Sequence, residues 1–383
     1  MSDTRFKRKD KMLVNGKSDS LKTASMIFCF SAGYKLIILL ALYIISGRSW
    51  DVLLSFGDVP SYLRIARSFP FPYNDPSMLQ NSIHYPLYPA IVYLANLLLG
   101  NWVLSGCLTN IGISSLSSVL FYLIACKFSR HALSLALLFS CLPPKWVQVS
   151  IYPLSEPIFM FFLLLAVLMH LNQKFGLSYF SLSLLIVSRP LGFIFLASFL
   201  AYDVLARKHY RHFILAALAT IPFTLFHCYL YVIFGEMLLF QHAVKTGTWG
   251  GSIFSWPLSG LVTGLIGNEL TMTRKLYTTM EFSAYCAVAV AAVKHWRQER
   301  FTLFSFIILP YFAFTLFLKG GSHNWWMLCL PRFLFPLAPF GFIYYFRELD
   351  GKYFYLLMAA AALLGGTYAV GGHYLHLKYG PYV

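Results

Sequence analysis

An all-α, polytopic transmembrane helical bundle is the fold class that this sequence predicts, and three observations predict it. Of 383 residues, 58% are hydrophobic and only 11% are charged, against about 25% charged in soluble domains. Mean hydropathy is +0.65. The apolar residues fall in runs separated by short polar breaks, enough for about eleven crossings at roughly 20 residues each. A soluble enzyme and a disordered chain are excluded. The net charge of +16 does not read as a nucleic-acid footprint, because most Lys and Arg sit in the breaks, where they set topology and meet anionic lipid. The seven cysteines lie in or beside apolar runs with no CxxC pair, as small membrane-helix residues do.

Residues 1–23 carry Arg5, Lys7, Arg8, Lys9, Lys11, Lys17 and Lys22. They are too long and too charged for an ordinary signal peptide and read as a cytoplasmic basic tail. Residues 24–383 read as a single transmembrane domain. Its first crossing is 24–45, with Lys35 expected to face the bundle interior, because a lipid-facing lysine there is costly. Residues 46–100 form the first external loop, in which Tyr62, Ile65, Ala66 and Phe69 recur at helical spacing and predict an interfacial helix. The stretch 84–100 carries Pro86 and Pro89 and is short for a span. A full crossing there would put Lys127, Arg130, Lys174, Arg207, Lys208 and Arg211 outside, against the positive-inside rule, so it is expected to be a half-inserted helix.

The remaining crossings are expected near 103–126, 131–149, 153–171, 176–188, 190–205, 213–235, 277–294, 302–318, 332–346 and 353–370. The two that meet at Ser188, Arg189 and Pro190 are short, which predicts a break in the chain inside the bundle. No internal repeat of the transporter kind is visible.

This topology sorts the polar residues. Asp58, Asp75, His84, Glu156, Arg189, Gln241, His242, Trp249, Lys319, His323 and Arg332 all fall on the external face or just below it, from separate stretches of sequence. Such convergence suggests a cavity that opens outward. Asp58, before the interfacial helix, is placed to take a proton from a hydroxyl, with partial desolvation raising its pKa into a useful range; it could equally be a helix N-cap. Glu156 opens an apolar run, where it could hydrogen-bond a sugar hydroxyl, pair with Arg189 or complement a helix dipole. Arg189 and Arg332 each precede an apolar run and call for an anion, a phosphate by preference, unless they snorkel to lipid headgroups. There is no HExxH, Asp-x-Asp, GxGxxG or Walker pattern, so neither a metal nor a cofactor is expected.

The ordered patches Asp58–Ala66, Tyr85–Pro89 (Tyr-Pro-Leu-Tyr-Pro), Tyr152–Phe159, Ser188–Gly192 (Ser-Arg-Pro-Leu-Gly) and Pro331–Pro336 resemble the polytopic glycosyltransferases of the GT-C superfamily. They are most similar to the second mannosyltransferase family of glycosylphosphatidylinositol assembly and its prokaryotic relatives. The segment Phe240–Trp256, with Gln241 and Trp249, is similar to a later external loop of that family. The resemblance implies a GT-C-like fold, with Asp58 as general base. It also implies a polyprenyl- or dolichyl-phosphate sugar donor, and a glycolipid or other acceptor on the non-cytoplasmic face of a bacterial plasma membrane or endoplasmic reticulum membrane. Tyr62, His84, Tyr85, Glu156, Arg189, Gln241, Trp249, Lys319, His323 and Arg332 are the substrate-binding residues expected on this reading. One departure is visible: the family often has tryptophan directly before the aspartate, whereas Gly57 stands here and Trp50-Asp51 occurs earlier, which keeps Asp51 as a second candidate base. The rival expectation is a transporter or lipid flippase, which also needs charged groups within a bundle.

Overall fold

Runs rich in leucine and alanine favour helix. The computed structural model describes residues 17–47, 49–50, 57–70, 73, 84–235, 256–266, 272–298, 302–318, 330, 332–347 and 351–379, and among them no strand occurs. The helices are α1 (Lys17–Ile45), α2 (Val59–Arg67), α3 (Leu87–Leu99), α4 (Trp102–Ala125), α5 (Ala132–Cys141), α6 (Pro144–Val149), α7 (Glu156–Leu171), α8 (Phe175–Ser188) and α9 (Gly192–Ala201). After α9 comes a π turn, Tyr202–Ala206. There follow α10 (His212–Phe234), α11 (Ser259–Ile266), α12 (Met272–Lys294), α13 (Thr302–Leu316), a 3-10 turn Phe335–Leu337, α14 (Ala338–Phe346) and α15 (Gly351–Tyr379).

Four described helices are long and apolar enough to cross a membrane: Leu21–Ile45, Trp102–Ala125, His212–Phe234 and Lys275–Lys294. The other apolar helical stretches with described side chains run to 10–17 residues, so the expected crossings are not all matched by full-length spans. The span expected at 131–149 is divided into α5 and α6, because Pro143 and Pro144 have no N–H to continue the ladder. The stretch expected as a half-inserted helix is α3, 13 residues long. The break expected at Ser188–Pro190 is present: α8 ends, Arg189 is extended (φ −158°, ψ 139°), and α9 begins at Gly192. A residue before proline is disfavoured from the helical region, so Pro190 sets that break.

The core forms around α4, which packs on α1, α3, α5 and α7, while α7 and α8 pair as an antiparallel hairpin. An aromatic stack of Phe121, Phe139, Trp146 and Phe335 fills the centre, with ring centroids 4.9–5.6 Å apart. Lys35 is fully buried, as expected; its Nζ donates to Ser31 Oγ at 2.8 Å and lies 5.6 Å from the Trp146 ring centroid. On the outside, Ile37, Leu40, Leu98, Ile214, Leu225, Val290 and Leu363 are all more than half exposed. Large apolar residues displayed on so many helices suit a lipid surrounding rather than water.

Candidate functional site

The helix expected from Tyr62, Ile65, Ala66 and Phe69 is α2: the first three lie on its buried face with Val59 and Leu63, whereas Phe69 falls beyond its end at Arg67. Gly57 enters it at φ +52°, a region open to glycine at little cost, and Pro60 stands in its first turn. Asp58 occupies the N-cap position but makes no capping hydrogen bond. Its carboxylate turns inward, with Oδ2 2.7 Å from Arg332 Nη2 and Oδ1 3.7 Å from His84 Nε2.

Glu156 begins α7 and is fully buried. Its Oε1 receives both Arg189 Nη1 and Arg332 Nε, while its Oε2 is buried without a hydrogen-bond partner. Two structural supports place it, and a third places Arg332. Asn110 of α4, fully buried, donates to the carbonyls of Tyr152 and Leu154 in the turn before α7, the latter at 2.8 Å. Ser155 hydrogen-bonds with the Tyr62 hydroxyl at 2.6 Å, joining α2 to α7. Phe333 accepts from the Tyr311 hydroxyl at 2.7 Å, tying the backbone beside Arg332 to α13. Arg189 is delivered by the α8–α9 break, which Gly192 permits: a Cβ there would lie 2.8 Å from the Ile186 backbone.

The structure therefore brings together Asp58, Tyr62, His84, Glu156, Arg189 and Arg332. The Tyr62 ring meets His84 edge to face at 4.8 Å. Tyr85 does not join them. Its hydroxyl hydrogen-bonds with His227 Nε2 at 3.1 Å and its ring stacks on Phe223, in a separate aromatic cluster with Tyr73 and Phe226. Asp51, Asp75, Gln241, His242, Trp249, Lys319 and His323 lie outside the described residues.

Two expectations are corrected. Burial does favour the protonated form of Asp58, but the Arg332 guanidinium and His84 outweigh it and hold the carboxyl well below the usual carboxylate range. The arginines do not snorkel, and in this structure their anionic partners are the two carboxylates. Burial also pushes the Tyr62 phenol up to about 12, keeping it a neutral hydrogen-bonding group.

A second polar cluster went unnoticed in the sequence. Asp203, in the π turn and fully buried, accepts from the Tyr179 hydroxyl at 2.9 Å and faces His212 Nδ1 at 2.7 Å and His170 Nε2 at 3.1 Å. It ties α7, α8 and α10 to the end of α9. The signal was present: a lone acid at the end of an apolar run, with histidines at the ends of its neighbours. Ligand atoms of Asp203, His209 and His212 lie within 4.8 Å of one another, close enough to hold a metal ion. The hydrogen bonds to Asp203 account for the same geometry, and Arg207, Lys208 and Arg211 beside it in sequence oppose a cation.

No protein-family model matches the chain, and no curated protein matches it either.

Proposed function

We propose that the chain is an integral-membrane glycosyltransferase that moves a sugar, mannose on the closest resemblance, from a polyprenyl- or dolichyl-phosphate donor to an acceptor hydroxyl on the non-cytoplasmic face. The observation that carries this reading is the gathering of Asp58, Glu156, Arg189 and Arg332, from four distant stretches, into one partly accessible charge cluster. In the transfer, the acceptor oxygen forms a bond to the anomeric carbon and its proton passes to Asp58. The bond from that carbon to the phosphate oxygen breaks, with its electron pair leaving on the lipid phosphate and inversion at carbon. Arg189 and Arg332 stabilise the charge that develops on the leaving phosphate. An apolar groove of about 440 Å³ lined by Phe193, Ile194, Ala197, Ala201 and Pro310 supports a lipid-linked donor, whose chain would lie along it.

The flippase reading draws on a different observation, the buried polar line of Lys35, Ser31, Ser118 and Ser140 deeper in the bundle. One experiment separates the two. Purified protein is given radiolabelled polyprenyl-phosphate mannose with a panel of hydroxyl acceptors in detergent, and the same lipid in proteoliposomes. The proposal expects transfer in detergent; lipid translocation without transfer to any acceptor would replace it with the flippase.

A further inference from the structure

Arg332 is shared: its Nε rests on Glu156 and its Nη2 on Asp58. Arg189 rests on the same Glu156 oxygen. Two carboxylates and two guanidinia leave the cluster formally neutral with His84 uncharged, so among its described residues an arriving phosphodiester finds no uncommitted positive charge. One carboxylate must give way. Glu156 is badly placed to do so, because it is fully buried and stands between two guanidinia that would otherwise repel. Asp58 is well placed. Its side chain is 25% exposed, makes no capping bond, and follows Gly57 at the start of a short helix.

We propose that a lipid-linked phosphodiester replaces Asp58 on the Nη2 edge of Arg332, while Glu156 stays as the positioning residue that holds both guanidinia toward the phosphate. The exchange rests on the transferase reading and deepens it: Asp58 becomes an uncommitted base only after the donor has bound. An empty site then holds its base in an ion pair, and hydroxyls that enter without a donor meet a carboxylate that cannot take their protons. His84, 3.7 Å from the other Asp58 oxygen, keeps the released carboxylate near its place. Charge balances through the reaction. With donor bound, the cluster carries one excess negative charge, and it carries the same after transfer, because the proton gained by Asp58 offsets the second charge gained by the leaving phosphate.

The test uses the full chain in detergent and farnesyl methyl phosphate, a phosphodiester with one fixed charge and no sugar, with affinity measured by calorimetry. At pH 7, Asp58→Asn binds about tenfold more tightly than wild type, because the competitor for Arg332 is gone. The gap narrows as the pH falls through the ordinary carboxylate range, where wild-type Asp58 takes a proton when it is displaced. His84 faces Asp58 in wild type and is unchanged in the variant, Glu156 stays paired in both, and Tyr62 stays neutral across this range. Asp58→Ser, a small polar group at the helix start, gives the same answer should the asparagine variant misfold. Equal or weaker binding by both variants, with wild type binding, overturns the exchange and leaves the transferase reading standing. No binding by any of the three proteins overturns the phosphate site itself, and the exchange with it.

Discussion

Helices α7 and α8 carry both polar clusters, one at each end of their hairpin. Glu156 starts α7 and His170 lies near its end, roughly 20 Å away at 1.5 Å per residue. Tyr179 lies near the start of α8 and Arg189 just past its end. The two clusters are built differently. Asp203 is a single, fully buried acid surrounded by Tyr179, His170 and His212, donors that can match it without bringing a permanent charge. At the other end, permanent charges face each other and Asp58 is partly open; buried atoms without hydrogen bonds occur at both ends, Glu156 Oε2 and His84 Nδ1 here and Asp203 Oδ1 and His170 Nε2 there. An acid held by Tyr179 and His212 through one oxygen ties helices together; opposed permanent charges with a partly open aspartate among them have capacity left for a ligand.

The comparison can be broken at several points. The largest structural effect is expected at Glu156. Glu156→Gln leaves two guanidinia facing each other with a weaker partner, and should destabilise the protein by about 3–5 kcal/mol in denaturant unfolding. Next comes the other end: Asp203→Ala strips the acceptor from Tyr179 and His212 and should cost about 3 kcal/mol in the same measurement. If Asp203→Ala unfolds like wild type, the second cluster is not a tie.

The smallest effect is the acid dependence of Asp58. Its folded pKa lies below its unfolded value of about 3.9, so the stability it adds is whole above that value and is lost as the pH falls below it. Between pH 7 and pH 5 the difference in stability between wild type and Asp58→Asn should be flat. Below about pH 4 wild type should lose about 1 kcal/mol relative to the variant. A difference that already declines between pH 7 and pH 5 would mean that Arg332 does not hold the carboxylate.

Much of the site could be read in the sequence because Asp58, His84, Glu156, Arg189 and Arg332 each stand where an apolar run meets a polar break. Position along a membrane chain carries depth, and depth groups residues. Pairing is another matter. That one arginine would serve both Asp58 and Glu156 depends on how α2, α7 and the turn before α14 pack, and this reversed the direction of the Asp58 shift. Tyr85 and Tyr88 flank the start of α3 and look alike in sequence, yet Tyr85 turns to His227 while Tyr88 meets Tyr62 edge to face at 5.4 Å. Asp203 escaped notice because its partners come from α7, α8 and α10, and no short motif joins them.

The most direct test of the central claim, that one end of the hairpin reacts and the other holds, is to measure sugar transfer and thermal unfolding side by side for Asp58→Asn and Asp203→Ala. Asp58→Asn should lose about two to four decades of turnover and unfold near the wild-type temperature. Asp203→Ala should unfold at a lower temperature, while its folded fraction transfers at nearly the wild-type rate. Full transfer by Asp58→Asn, or loss of transfer by a folded Asp203→Ala, would contradict the account.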